Sequence, residues 1–458
     1  AVSGGQGTIG YADASAAKGR GRAGDALNPR QAVRVCVGLS GSHTPSAGPG
    51  PHTVWLADIG TARDPLAEAN TETVTRDASI ETVFPRYKVF TLEAPATVAD
   101  AGPGGPAGQP FLRGQSGLVC AIPRTEGQGF GRGPKWRFVP WAEAQTDGAG
   151  RGACEWLLLN VCPPLDGVAF AGFGYSDPAV WSSPQVTKRI AERVAGVVRG
   201  AMFEEAGSGQ FAYWPGEEIA VGARLRTFGE PGAEATVALE ILREGKTVWS
   251  RREAGPKTSG VTNFVFRVSA FAKAETLTFR ARLEKSGACV DRIEHEFAVL
   301  DPAPAPQSAF VTAKGGNFWA NGTKWYPVGV NFWPLYTSGM DASDYWPGWL
   351  RDAYYAPARV ESDLVRLQEM GVNMVSVQSP PPAEYRNLLD FLRLCARHDI
   401  RVNLFVGQAS PLAFDEPALK AFFEASRLPG NPAVFAYDTI WEPGNYVFQD
   451  DRARQRWD

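Results

Sequence analysis

The sequence predicts a multidomain chain: an α/β N-terminal region, then an all-β sandwich, then a C-terminal run of alternating strands and helices. Three observations carry this. The chain has 458 residues, about three times the roughly 150 of an ordinary domain. A segment with proline at every second position, DPAPAPQ at 301–307, divides it. Across that segment the hydrophobic pattern changes from simple alternation to short apolar runs interleaved with helical spacing.

Residues 1–204 contain strand-like runs at AVRVCVGL (32–39), HTVWLADI (52–59), YKVFTLEA (87–94) and EWLLLNV (155–161). A helix is predicted from Pro184 to Phe203, where Val186, Ile190, Val194, Val197 and Val198 keep a three-to-four spacing. Loops dense in Gly and Pro separate these runs, which fits an α/β or mainly β domain.

Residues 205–300 read as strand after strand. Ile219, Val221, Ala223 and Leu225 alternate, and ATVALEIL, KTVWS, TNFVFRV, TLTFRARL and EHEFAVL follow between turn residues such as GEPG and REGK. About seven short strands in about 95 residues is the rhythm of an immunoglobulin-like sandwich. The 301–307 segment forbids helix and favours extended polyproline, so it reads as a stiff linker.

Beyond it, FWANGTKWYP places Asn321-Gly322 between two aromatic-rich strands, a type I′ hairpin signal. Four strand–helix alternations follow. The strands are 326–333, 372–378, 400–407 and 433–443. Helices are predicted from Pro357 to Met370, ended by Gly371, then from Glu384 to Arg397, and then after an Asp415 cap. Strands apolar on both faces, each followed by a helix, imply a parallel sheet with right-handed crossovers. Four units occupy about 130 residues, whereas a closed eight-unit barrel needs about 250. The expectation is an open sheet, or half a barrel completed by other sequence or another chain.

Function classes narrow quickly. Lys+Arg 46 against Asp+Glu 49 leaves a formal charge of −3, which marks no nucleic-acid or anionic-membrane partner. No apolar run reaches the ~18–20 residues of a membrane span. No signal peptide is visible at the start; the compartment stays open, with an extracellular or periplasmic setting favoured. Six scattered cysteines lack CxxC spacing and read as buried thiols, with a Cys154–Cys162 disulfide as the alternative. The four histidines sit at no metal spacing, and no metal or cofactor is implied. GLSGS at 38–42 misses the nucleophile-elbow pattern. The alternating glycines 127, 129, 131 and 133 lack the phosphate-loop GK[ST] and read as a bent loop.

In parallel βα units the chemistry gathers at the C-terminal ends of the strands. Those ends present Asn331, Phe332 and Trp333, then Gln378, then Trp441, Glu442 and Pro443. A carboxyl beside an aromatic and before a proline suits a general acid, since partial desolvation raises its pKa. The bland alternative is a structural carboxylate paired with a cation such as Arg452. Asn331 and Gln378 can bond sugar hydroxyls, and Trp333 and Trp346 can stack on sugar rings; solvated amides and ordinary packing are the alternatives. His398, just before the third strand, lies at the wrong end for catalysis and reads as structural.

On FWANGTKWYPVGVNFW, GVNMVSVQ and NPAVFAYDTIWEPGN, residues 318–458 resemble the clan of retaining glycosidases built on the (β/α) TIM-type barrel, which includes cellulases, mannanases and β-galactosidases. The resemblance implies the first half of such a barrel over 308–458, an oligo- or polysaccharide substrate, and Glu442 as acid/base. Two positions depart from it. Trp441 stands where the clan has an asparagine that holds the 2-hydroxyl, and Ser376 where it commonly has an arginine. The clan's nucleophile belongs on the seventh strand, so the chain is expected to be catalytically incomplete alone, because retaining chemistry needs two carboxyls about 5–5.5 Å apart. The rival reading is a non-catalytic carbohydrate-binding or scaffold protein with a degenerate barrel. Upstream, GQGFGRGPKWRFVPWAEA and VAFAGFGYSDPAVW resemble amidotransferase-like α/β segments.

Overall fold

A computed structural model describes residues 87–102, 108–123, 127–163, 165–229, 235–334, 348–409 and 414–439. All of them lie in one compact unit, Glu81–Asp458. The strand runs expected at 32–39 and 52–59, and Cys36, lie outside the described residues. No helix among those described is long and apolar enough to cross a membrane. The described part is mostly β-sheet with few helices.

The first layer is a seven-stranded sheet of β1 (Tyr87–Leu92), β2 (Ala96–Asp100), β3 (Pro110–Gln115), β4 (Leu118–Pro123), β5 (Trp136–Thr146), β6 (Ala149–Asn160) and β7 (Ala169–Phe173). Its order is β1-β4-β6-β5-β2-β3, with β7 on β6. Every pairing in it is antiparallel. Over the described part of 1–204 this is the mainly β alternative rather than the α/β one. The long hairpin β5–β6 closes on Asp147-Gly148, both at positive φ, and β6 returns directly to β7, so these strands need no helical crossover.

Two helices, α1 (Pro178–Trp181) and α2 (Pro184–Val198), cover this sheet. Arg189 of α2 fastens it by donating to Glu155 (2.9 Å) and Asp100 (2.8 Å), while Tyr175 donates to the other Glu155 oxygen at 2.6 Å. α2 stops five residues before the predicted Phe203, because Arg199-Gly200 breaks it and Phe203 already lies in a strand. No disulfide joins Cys154 and Cys162. Both are free thiols, and burial of Cys154 in the layer's core pushes its thiol pKa up.

The second layer is an antiparallel sandwich of β8 (Ala201–Ser208), β9 (Ala212–Tyr213), β10 (Ile219–Thr227), β11 (Ala235–Arg243), β12 (Lys246–Ala254), β13 (Gly260–Val268), β14 (Glu275–Lys285) and β15 (Ala288–Val299). One sheet runs β13-β10-β8, the other β12-β11-β14-β15-β9, where the short β9 joins β15 in parallel. The alternation in each strand turns Val221, Ala223 and Leu225 toward Leu239, Ile241, Phe279 and Phe297 in a shared buried core. The sandwich begins at Ala201, before the expected 205. Its outer strand β12 is exposed and carries Lys246, Arg251 and Arg252, the kind of charge that blocks edge-to-edge association.

A buried ion pair joins the two layers. Arg137 of β5 donates to both oxygens of Asp291 on β15, at 2.6 and 2.7 Å. Close by, His295 is buried between Phe279 and Phe211. Its Nε2 accepts from Ser208 N at 3.1 Å, so the proton sits on Nδ1, beside the Glu296 carbonyl at 3.0 Å. Burial lowers its pKa from 6.5 to about 4. A depressed pKa means that the fold favours the neutral ring. This stability is complete above pH 6.5 and drains away as the pH falls toward 4, about 3 kcal/mol in all. His295→Gln should therefore flatten the fall in urea midpoint between pH 7 and 4.5. Parallel curves for the two proteins would contradict this.

The third part begins with the hairpin sheet β16 (Thr312–Lys314), β17 (Asn317–Ala320) and β18 (Thr323–Trp325). Asn321 and Gly322 both have positive φ, as the type I′ turn requires. Then come β19 (Gly329–Asn331), α3 (Pro357–Glu369), β20 (Met374–Gln378), α4 (Tyr385–Arg397), β21 (Arg401–Phe405), α5 (Glu416–Ser426) and β22 (Val434–Asp438). The four strands form one parallel sheet in consecutive order. Gly371 has φ +82° just past Met370, the C-cap of α3, and the Asp415 carboxyl accepts from Ala418 N at 3.0 Å to cap α5. Val375, Val377, Val402 and Leu404 pack on Val360, Leu364, Leu388, Leu392 and Phe422 of the helices. Among the described residues no strand pairs with the outer side of β19, and Val328 and Val330 are exposed at 54% and 40%. The proline-rich 301–307 segment lies docked: Ala305 N donates to Gly430 O at 3.1 Å, and Arg427 donates to Pro302 O at 3.3 Å.

Candidate functional site

The parallel sheet has two faces of different chemistry. Alternation sends Val375 and Val377 of β20, and Val402 and Leu404 of β21, into the helix-side core. Ser376, Gln378, Asn403 and Phe405 therefore point to the opposite face. On β22, Tyr437 packs on Phe423 of α5 at 5.3 Å, which turns Ala436 and Asp438 the same way. On β19, Phe332 stacks on Phe391 of α4 at 5.8 Å, so Asn331 faces away from the helices.

Strand register arranges these residues in two rows. Asn331, Ser376, Asn403 and Ala436 are successive cross-strand partners. One step nearer the C-terminal strand ends, Gln378, Phe405 and Asp438 are partners in the same sense. Asn403 Nδ2 donates to Ser376 Oγ at 3.2 Å, which fixes the middle of the lower row. Asn331 is exposed, and Ser376, Gln378, Asn403, Phe405 and Asp438 are half-buried. The face thus offers amides, a hydroxyl, a ring and a carboxyl group. That set can hydrogen-bond a polyhydroxylated ligand and cover its apolar side.

Of the residues singled out from sequence, Asn331 and Gln378 share this face but lie in different rows. Trp333 is half-buried and packs against the helix-side core. Trp346, Trp441 and Glu442 lie outside the described residues. Phe405 and Asp438 were missed, although the alternation in RVNLF and VFAYD carries the signal once the outward residues are known. Among the described residues, no group of three His, Cys, Asp or Glu side chains gathers to hold a metal. His398 follows α4, away from the strand ends, with Nε2 at 3.2 Å from Glu361 and Nδ1 at 3.3 Å from Gln368.

The rim after β19 and β20 is braced from the first layer. The glycine-rich 127–135 segment is a loop wedged between sandwich and parallel sheet. Gln128 N donates to Tyr355 O and Phe130 N to Ser208 O, both at 3.1 Å. At Gly127 a Cβ would lie 2.5 Å from Ala353 O, so only glycine lets the loop approach. Arg132 is buried at the centre. It donates to Gly209 O at 2.9 Å and to Asn387 in the first turn of α4, and it pairs with Asp352 at 2.7 Å. Burial pulls its guanidinium below the ordinary range while Asp352 pulls it back. Burial also raises the Glu384 carboxyl beside α4, and Asp352 adds to that rise.

Neither the family models nor the curated proteins compared with this chain match it. Solved structures do. A β-glucuronidase of Parabacteroides merdae is 12% identical over 77% of this chain and 43% of its own, with a TM-score of 0.24. A β-D-mannosidase of Dictyoglomus thermophilum is 14% identical over 79% and 46%, at 0.24. A putative β-galactosidase of Bacteroides fragilis is 13% identical over 81% and 51%, at 0.23. These neighbours are glycoside hydrolases, and this chain spans about half the length of each.

Proposed function

We propose that this protein is a glycoside hydrolase acting on a β-glycosidic bond with retention, and that 308–458 supplies the first four βα units of its TIM-type barrel behind an immunoglobulin-like sandwich. The observation that carries the reading is the consecutive parallel sheet β19–β22. In the sequence, Trp441-Glu442-Pro443 follows shortly after the C-terminal end of β22. In this reading Glu442 protonates the leaving oxygen and then activates water, working with a second carboxylate as nucleophile. Asn331 and Gln378 bond sugar hydroxyls, and Trp346 and Trp441 supply ring contacts.

Turnover of aryl β-glycosides by the parent protein and by Glu442→Gln tests this. The variant should lose about 100-fold or more in kcat, the scale of general acid–base catalysis, while still binding sugar. One observation favours a second reading, a carbohydrate-binding protein without catalysis. Where the barrel glycosidases commonly place an arginine, Ser376 is engaged by Asn403 at 3.2 Å. Polysaccharide binding with no turnover in the parent protein would select that reading.

A further inference from the structure

We infer that the cavity beneath the docked 301–307 strap binds a small organic anion with an apolar body, of the aryl carboxylate class. The cavity holds about 830 Å³ and lies among Trp214, Leu389, Leu392, Phe423, Pro302 and Pro304. That volume suits a ligand of ordinary small-molecule size. The site goes beyond the glycosidase reading, because it sits at the opposite end of the parallel sheet from the candidate face. Arg401, on its wall, is the first residue of β21, and Ala433, also on its wall, directly precedes β22.

The polar groups set the sign of the ligand. Three arginines line the cavity, Arg393, Arg401 and Arg427. Arg401 donates to the Pro432 carbonyl, and Arg427 donates to the Pro302 carbonyl at 3.3 Å. Among the described residues neither forms an ion pair with a carboxylate. Glu217, which feels the charge of Arg427, is already held by two bonds from Arg386. Burial pulls the Arg401 guanidinium below its ordinary range, with Asp399 pulling it back. Arg393 spends Nε and Nη2 on Asp390, while its buried Nη1 makes no hydrogen bond. Each guanidinium carries five N–H donors, more than these bonds use. A carboxylate in the cavity gains charge-assisted bonds from them that a neutral amide does not. The two carboxylates on the lining are engaged elsewhere. Asp301 accepts from Ala303 N at 2.9 Å, and Glu424 lies 4.0 Å from Lys420.

The probes are indole-3-acetate and indole-3-acetamide, an anion and a neutral amide of nearly the same shape. Each is titrated into the full chain by calorimetry. The acid should bind once per chain, at least about tenfold tighter than the amide, as charge-assisted bonds to arginine predict. Arg427→Gln, at an exposed position, should cut that ratio at least about threefold. Ala396→Trp, which fills the cavity from an exposed position on α4, should abolish binding of both probes. An amide that binds as tightly as the acid overturns the inference, and so does an acid that fails to bind at millimolar concentration. Those two results need no variant. Acid binding that survives Ala396→Trp, with the circular dichroism unchanged, overturns it too, as does a ratio that Arg427→Gln leaves as it was.

Discussion

Replacing Arg137 with methionine should cost about 3–5 kcal/mol, the range for stripping one partner from a buried ion pair. Asp291 has a fully buried side chain. It holds two bonds from Arg137 and one each from Phe203 N and Arg292 N, both at 2.8 Å. Without the guanidinium the carboxylate stays in the seam between the layers with only backbone donors, and the Phe203 carbonyl loses its 2.7 Å bond to Arg137 as well. The urea midpoint of tryptophan fluorescence measures the loss. Asp291→Asn should cost stability too, because Phe203 N and Arg292 N bond to different carboxylate oxygens and the amide keeps an acceptor for only one of them. A double-mutant cycle with Arg137→Met should return a large coupling between the two sites. Additive effects would mean that the pair contributes nothing beyond its separate packing.

The second large effect is expected at Arg132. Its guanidinium ties three parts of the fold, donating to Gly209 O, pairing with Asp352 and donating to Asn387, with the Phe211 ring 4.8 Å away. Arg132→Met should destabilise by about 3 kcal/mol or more, since Asn387 is buried and Asp352 loses its cation. Arg132→Lys should recover little, because an ammonium cannot span those acceptors as the planar fork does. The location of the damage distinguishes this from general loosening. Amide exchange should accelerate first at 348–356 and in the opening turn of α4, with β10–β14 unaffected. Uniform acceleration across the sandwich would contradict the assigned role.

The parallel part was legible in the sequence because its signals are local. Apolar runs bounded by Gly371 and by the Asp415 cap mark their own ends, and Asn321-Gly322 announces its turn. The sandwich was legible for the same reason, through alternation in strands such as Ile219–Thr227. The first layer was not. Its long hairpin, β5 with β6, shifts register at several points, and such shifts blur the period of two. The helix was extended to Phe203 because Met202 and Phe203 continue its apolar rhythm, although they fill a strand whose partner, β10, starts at Ile219. At the site, Asn331 and Gln378 could be read as strand ends. Phe405 and Asp438 needed the cross-strand register, which no single strand carries. Arg132 could not be read at all, since its partner Asn387 is 255 residues away.

That separation also bears on how the chain is made. At synthesis rates of about 5–20 residues per second, the 255 residues from Arg132 to Asn387 take on the order of ten to fifty seconds to emerge. The first layer and the sandwich can assemble within that time, but the arginine must wait first for Asp352, its charged partner, and then for Asn387 of α4. The joint between the ends of the fold therefore closes last, as a latch set by translation rather than by the stability of either part.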